Sequence, residues 1–474
     1  MQPIRVLKAV MVAATAAVIG WAVLFIVRNY AGSGRCAGGA CPTGSGARTG
    51  LAFLFAAVGV LGLFGAVNWA IGKGGRPKRQ VWGVLAPAGL LAGLLPGWLL
   101  YDGLTGGRLD LQWSAARDRP DTAEALGNWS VGSTLVQARG NGLTAYAARD
   151  GAQRWQRPAP AGESVCAMSD RTSGGTGLVA FGGYLKPCDT VALVNLSTGQ
   201  PVWQQKTDGD PAVIKAADAR IALADGTAVV AENGAVRGLA AGDGAERWKR
   251  TEAEGCRVAA VGASAARALV VDRCGTDAFR LSSLDARTGE ENWNSALPSG
   301  KEVHVLSAEP AVVVVDGKAL PFDGRGHGRA AIPLALPRDY IGFAARPVTR
   351  AVITGDVLVT AVTPDWNPAP RSVGAYALSD GHQVWTQHFD DEVSALALRP
   401  DGRLAVLTRD GGGDGTIRPL DVRTGQSAGG IEPLTGEDSL IGPWSVELFP
   451  DPHGYVIANR SLTGDYPPAL GARR

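Results

Sequence analysis

Apolar residues along this chain fall into two regimes. Residues 9–27 (AVMVAATAAVIGWAVLFIV), 51–71 and 81–101 are near-continuous apolar runs without a charged side chain. Each is long enough to predict a membrane-spanning helix. From about residue 127 the pattern changes to short apolar stretches that alternate or run unbroken, as in Tyr376-Ala-Leu-Ser and Val191-Ala-Leu-Val-Asn-Leu, each ending at an Asp-Gly or Thr-Gly pair. A period of two between turn signals predicts short strands, and the glycine supplies the φ > 0 residue of a tight hairpin. Helical periodicity is missing between these strands, which excludes alternating βα units.

The strands belong to a repeat. Thr144–Trp155 (TAYAARDGAQRW), Ala192–Trp203 (ALVNLSTGQPVW), Arg237–Trp248 (RGLAAGDGAERW), Ser282–Trp293 (SSLDARTGEENW) and Gly374–Trp385 (GAYALSDGHQVW) are five copies of one unit. A sixth, at Arg418–Gly425, keeps the turn but has Gly429 where the Trp belongs. The turn glycines lie at 151, 199, 244, 289, 381 and 425, so the intervals are 48, 45, 45, 92 and 44. The interval of 92 holds a decayed copy, whose remnant is Val312–Asp323. A unit of about 45 residues built from four short antiparallel strands is one blade of a β-propeller. The expected fold is therefore all-β, a propeller of four-stranded blades over residues 127–460, with seven blades favoured and eight as the alternative. Three transmembrane helices within residues 1–104 precede it, 105–126 are a linker, and 461–474 are a mobile tail. Strands at 444–449 and 455–459 are expected to return beside the first blade and close the ring.

The pattern of a strand, then Ala-x-(Asp/Asn)-x-x-(Thr/Asp)-Gly-x-x-x-Trp, resembles the pyrrolo-quinoline-quinone-like (PQQ-like) repeat. That repeat occurs in quinoprotein alcohol dehydrogenases and in BamB-like propellers of outer-membrane assembly. The resemblance covers roughly residues 120–460. It implies that Trp155, Trp203, Trp248, Trp293 and Trp385 pack between adjacent blades, and a large amphipathic ring recurring at blade period is a packing device in its own right.

Charge sets the expected topology. Lys73, Arg76, Lys78 and Arg79 crowd the loop after the second span, and basic loops stay cytoplasmic. This predicts a multi-pass protein of the cytoplasmic membrane with its N-terminus inside and its propeller on the extracytoplasmic side. Cys36, Cys41, Cys166, Cys188, Cys256 and Cys274 then share one side of the membrane, and an even count in an oxidising compartment reads as disulfides. Cys256 opens the first strand of its blade and Cys274 closes the second, ends that antiparallel pairing brings together; Cys166 and Cys188 stand in a similar relation. Metal binding is the alternative, although no CxxC spacing supports it. The spans carry no ionisable residue, so they read as an anchor rather than an ion path.

A formal net charge of +2 gives no argument for nucleic acid. No nucleophile elbow, HExxH or P-loop appears. The loops that join second to third strands, and blade to blade, share one propeller face. On it the sequence places Tyr184, Trp366, His388, Asp390, Asp391, Asp410 and Asp414 as a candidate binding face. Trp366 stands in a Pro-rich loop as an interface anchor, or packs back on its blade. The loop Asp410–Asp414 resembles half of a calcium loop, and a plain glycine-rich turn reads equally from the same residues.

The expected role is a non-enzymatic, membrane-tethered binding or scaffold module for a protein, peptide or envelope polymer, without a cofactor. The resemblance offers a second reading, a quinoprotein dehydrogenase holding pyrrolo-quinoline quinone and calcium, although the vicinal Cys-Cys pair of such enzymes has no counterpart here. An extracytoplasmic sensor is a third reading.

Overall fold

The computed structural model describes residues 18–21, 108–117, 125–183, 186–209, 220–334, 350–362, 370–435, 440–442, 446–460 and 466–474. The chain divides into two compact units, Met1–Gly107 with Gly430–Glu432, and Arg108–Gly429 with Pro433–Arg474. Of the first, the described residues are a helical turn at 18–21 and residues 430–432.

Among the described residues no helix is long and apolar enough to cross a membrane. A bilayer core needs about 20 helical residues, and the helix described at 18–21 is a single turn. The expectation of three spanning helices is corrected by this finding, and with it the multi-pass placement. The runs 51–71 and 81–101, most of 9–27, and Cys36 and Cys41 lie outside the described residues.

The second unit is built from strands. A lone strand, β1 (Leu109–Ser114), comes first. Blade 1 follows as β2 (Ala125–Val131), β3 (Thr134–Arg139), β4 (Gly142–Ala147) and β5 (Gln153–Pro158). Blade 2 is β6 (Glu163–Ser173), β7 (Thr176–Gly183), β8 (Cys188–Asn195) and β9 (Pro201–Lys206). Blade 3 is β10 (Ile221–Ala224), β11 (Thr227–Glu232), β12 (Ala235–Ala240) and β13 (Glu246–Thr251). Blade 4 is β14 (Cys256–Ala263), β15 (Arg267–Cys274), β16 (Ala278–Asp285) and β17 (Glu291–Leu297). Blade 5, the decayed copy, is β18 (Val303–Ala308), β19 (Ala311–Val315), β20 (Lys318–Pro321) and the two-residue β21 (Ile332–Pro333). Blade 6 is β22 (Ala351–Thr354), β23 (Val357–Val362), β24 (Ser372–Ala377) and β25 (Gln383–His388). Blade 7 is β26 (Glu392–Leu398), β27 (Leu404–Arg409), β28 (Gly415–Leu420) and β29 (Glu432–Thr435). The last strands are β30 (Val446–Asp451), β31 (Gly454–Asn459) and β32 (Ala469–Arg473).

Six of these groups are separate four-stranded sheets, while the rest form one eight-stranded sheet in the order β26-β27-β28-β29-β1-β32-β31-β30. That sheet is two blades fused along their outer edges, so the ring has eight blades rather than the favoured seven. The eighth takes three strands from the C-terminal end and its outermost, β1, from the stretch expected to be a linker. Antiparallel pairing of Asp110 with Arg473 and of Ser114 with Leu470 closes it. The expected tail is thus a strand as well, because Ala469–Arg473 finds partners on both sides, β31 and β1. Neither strand has a turn-linked neighbour in sequence, which is why local pattern did not reveal them.

The first strand of each blade lines the centre, and innermost strands of successive blades lie against one another. Between blades the cores are apolar layers; one joins Val136, Leu143, Val179 and Phe181 of blades 1 and 2. Trp155, Trp203, Trp248 and Trp385 each donate their indole N–H to a turn carbonyl of the next blade, Leu196, Ala241, Ala286 and Val422, at 2.8–3.1 Å. The ring then lies over the turn glycine of that blade: a Cβ on Gly199 would sit 2.5 Å from Trp155. Gly199 has φ of +73°, so the same atom-free position serves both the turn and the docking. A bulge beside each of these Trp residues turns the side chain toward its neighbour. In blade 5 the turn is replaced by Asp323–Gly328; Trp293 still covers Gly326 and stacks on Phe322 at 6.0 Å, but its buried Nε1 has no hydrogen-bond partner among the described residues. Ala330 meets Gly381 of blade 6 where a Trp would otherwise lie.

One docking residue escaped the repeat pattern. Trp113, on β1, donates to Ala148 O at 3.1 Å and covers Gly151, the turn glycine of blade 1. It is the same contact, made across the closure of the ring.

Candidate functional site at the mouth of the central channel

The four antiparallel strands of each blade run alternately out and back, so the turns after its first and third strands lie at one end of the ring, and those after its second and fourth at the other. The expected binding face belongs to the second end. There His388 Nδ1 is 3.1 Å from Ser372 Oγ, and Asp391 pairs with Arg418 at 3.5 Å. Asp390 is exposed at the same connection. Asp410 accepts the N–H groups of Gly412 and Asp414, both at 2.9 Å, in a closed turn. Tyr184 and Trp366 lie outside the described residues. Asp391 and Asp410 therefore turn to local partners rather than toward a shared point. Beneath them Glu392 meets Arg350 of blade 6 at 3.0 Å. Burial pushes the Glu392 carboxyl above its usual range against the opposing pull of Arg350, and burial pushes the Arg350 guanidinium down. Among the described residues no group of three or more His, Cys, Asp or Glu is placed to hold a metal ion.

Both expected disulfides within the described residues are present. Cys166–Cys188 joins β6 to β8, and Cys256–Cys274 joins directly opposed residues of β14 and β15. They brace blades 2 and 4 close to that same end.

The cavity lies at the opposite end. Its volume is about 450 Å³, and the ends of the innermost strands of blades 2 to 5 line it. Small and apolar groups form the walls, among them Leu223, Gly262, Ala263 and Val305. Gly262 is required there, since a Cβ would fall 2.4 Å from Val305 Cγ1 and push blades 4 and 5 apart. Asp170, Arg171 and Glu309 bring the charge.

A distortion of blade 2 puts two of those three in place. β6 has 11 residues, whereas the other innermost strands have 4 to 8. Between Met168 and Thr172 its register against β7 slips. Ser169 pins the slip: its Oγ donates to Arg171 O at 2.7 Å and accepts Leu178 N–H at 3.2 Å, while its carbonyl accepts the indole N–H of Trp129 at 2.8 Å. Bulges of this kind re-aim side chains and gather beside functional sites. Beyond it the hairpin tip leans on blade 3, where Asp225 takes Ser173 Oγ at 3.0 Å and Arg171 at 3.8 Å. Asp170, Arg171 and Glu309 were not among the sequence-derived candidates. Their signal was present in the interval of 48, rather than 45, between Gly151 and Gly199.

Comparison with known proteins adds to this geometry. The family profile described as "Outer membrane protein assembly factor BamB" matches residues 187–335. Those repeats are PQQ-like. Comparison with curated proteins gives no match. Among solved structures, BamB from Moraxella catarrhalis is 16% identical, with a TM-score of 0.47 over 77% of this chain and 99% of its own. A europium-containing methanol dehydrogenase is 12% identical, with a TM-score of 0.46 over 74% of this chain and 84% of its own. The quinohemoprotein alcohol dehydrogenase ADHIIG from Pseudomonas putida HK5 is also 12% identical, with a TM-score of 0.47 over 74% of this chain and 72% of its own.

Proposed function

We propose that the PQQ-like propeller is a binding module rather than a catalyst, and that it takes a polypeptide segment of a partner at the mouth lined by blades 2 to 5. One observation carries this reading: the pinned bulge and overlong hairpin of blade 2, which overhang a cavity walled by small side chains. Catalytic and cofactor pockets rely on polar groups converging on one reacting centre. Here Asp170, Arg171 and Glu309 are the charged groups lining a half-open cavity. The description of the matched family, an assembly factor, supports the same role.

Site-specific photocrosslinking tests it. A benzophenone side chain in place of Ala265, exposed at the mouth, should capture a defined polypeptide in cells; one in place of Val202, 42% exposed on an outer strand, should not. Equal capture at both positions would overturn the mouth as the binding site, and stoichiometric uptake of pyrrolo-quinoline quinone with calcium followed by alcohol oxidation would overturn the proposal in favour of the dehydrogenase reading.

A further inference from the structure

The seam between blades 5 and 6 is docked differently from the others. Ala330 stands four residues after the turn glycine Gly326, the place held by Trp155, Trp203, Trp248, Trp293 and Trp385 in their own blades. We infer that the ring gives at this seam, and that its opening extends the mouth cavity between β18 and β22. The role of that opening in binding rests on the mouth being the site proposed above.

Three observations converge. First, the docking pair is a polar substitute. Arg329 Nη1 donates to Leu378 O of blade 6 at 3.2 Å. Leu378 lies three residues before Gly381, as Leu196, Ala241, Ala286 and Val422 lie three before their own turn glycines. A guanidinium thus replaces the indole N–H at the same carbonyl. Arg329 and Ala330 are exposed, whereas Trp203, Trp248 and Trp385 are buried. Water reaches both side chains and competes for the bond, and one methyl group covers little of the area an indole buries. Second, the strands that face each other across the seam are loosely covered. β22 is half-buried at all four positions, whereas β10, of the same length in blade 3, is buried at all four. β18 is buried only at Val305 and Ala308. The outer strand β21 adds little, being two residues paired at Ala319–Ile332 and Lys318–Pro333. Third, the seam on the other side of blade 5 is tight. Val305 lies directly over Gly262, and Leu281, Trp293, Val313 and Phe322 share one core across blades 4 and 5. Blade 5 therefore stays with blade 4 when it parts from blade 6. Local opening starts where buried apolar contact is sparse. Leu306 lines the mouth and packs beside Ala351 and Ile353 of blade 6, so parting them runs the cavity onward between β18 and β22.

Hydrogen exchange of the full chain, read by mass spectrometry, tests the opening. Peptides covering 318–334 and 350–362 should exchange about tenfold faster than those covering 235–251 and 256–274, which flank the seam of blades 3 and 4. Arg329→Ala should raise exchange at the first seam about fivefold and leave the second unchanged. Arg247→Ala is the control. Arg247 stands in the same place before Trp248 but donates within its own blade, to Thr227 Oγ1 at 2.9 Å, so exchange at its seam should hold. Genetically encoded spin labels at Glu309 and Asp356, exposed on neighbouring inner turns at the mouth, should show a second, longer distance that grows in Arg329→Ala. Similar exchange at both seams, or an Arg329→Ala protein no looser than wild type, would overturn the inference while leaving the mouth as a binding site. Faster exchange with a single label distance would confine the give to the outer strands and overturn the extension of the cavity. Failure of capture at residue 265 removes the mouth instead, and leaves both exchange and label distance as they were.

Discussion

Replacing Trp113 by alanine should open the ring at its seam. The indole is 8% exposed and buries on the order of 200 Å², which at about 25 cal/mol per Å² corresponds to roughly 5 kcal/mol. The compact unfolded chain lowers that figure, and the lost hydrogen bond to Ala148 O adds about 1 kcal/mol. Little can collapse into the space, because Gly151 and Gly471 present only backbone beneath the ring, so a loss of about 4–5 kcal/mol is expected. Unfolding entropy scales near 2.1 cal/mol/K per residue, so in a ring of about 360 residues this lowers Tm by roughly 5–7 °C. Trp203→Ala, matched in burial at 9% and in its bond to the next blade, should cost a similar amount. Hydrogen exchange separates the two. Trp113→Ala should strip protection from β1, β32 and β29 together, whereas Trp203→Ala should affect only blades 2 and 3. A Trp113→Ala protein that loses under 1 kcal/mol, or keeps full protection in β32, would refute the account of closure.

Gly199→Ala should cost about 2–4 kcal/mol in urea unfolding, because its Cβ meets Trp155 at 2.5 Å, whereas Gly234→Ala, with a similar φ and open space, should cost only about 1 kcal/mol. Arg350→Met leaves the partly buried Glu392 without this cation and should cost about 2–3 kcal/mol at pH 7. Since the folded-state pKa of Glu392 is already raised, and rises further in the variant, the proton is bound more tightly in the folded state; the deficit should shrink as pH falls toward 4 and grow as it rises, read from urea midpoints across pH. Opening Cys256–Cys274 by paired alanine substitution releases a loop of 18 residues and should cost about 3 kcal/mol, with blade 4 losing hydrogen-exchange protection first.

The blades were legible because their signal is local. Asp285 and Asp421 show why the motif recurs: each carboxylate accepts two backbone N–H groups of its own turn, which holds it below the usual range. Selection for that turn keeps Asp-x-x-Thr-Gly visible in sequence. The pairing Cys256–Cys274 was legible for the same reason, as it joins opposed residues of one hairpin. Blade 8 was not, since β1 and β32 are separated by more than 350 positions and share no turn. The mouth was hidden differently. A bulge leaves no composition signature, and Asp170 and Arg171 read as ordinary hairpin residues until the slip of β6 places them beside the cavity. Long apolar runs gave the expectation of spanning helices, and among the described residues no helix is long and apolar enough to cross a membrane.

The fusion of blades 7 and 8 through β1 also fixes a sequence of events during synthesis. Parallel pairing of Leu109 with Leu434 and antiparallel pairing of Leu111 with Ala472 both require residues made more than 320 positions later. At about 5–20 residues per second the ribosome needs roughly 20–70 s to reach them, and until then the first strand of the unit emerges with both edges bare. Blades 1 to 6 can stack meanwhile, each on the one before it. The strand that starts the ring is therefore the one that waits longest, and a chaperone that shields Leu109–Ser114 during translation would protect the whole assembly from pairing with the wrong neighbour.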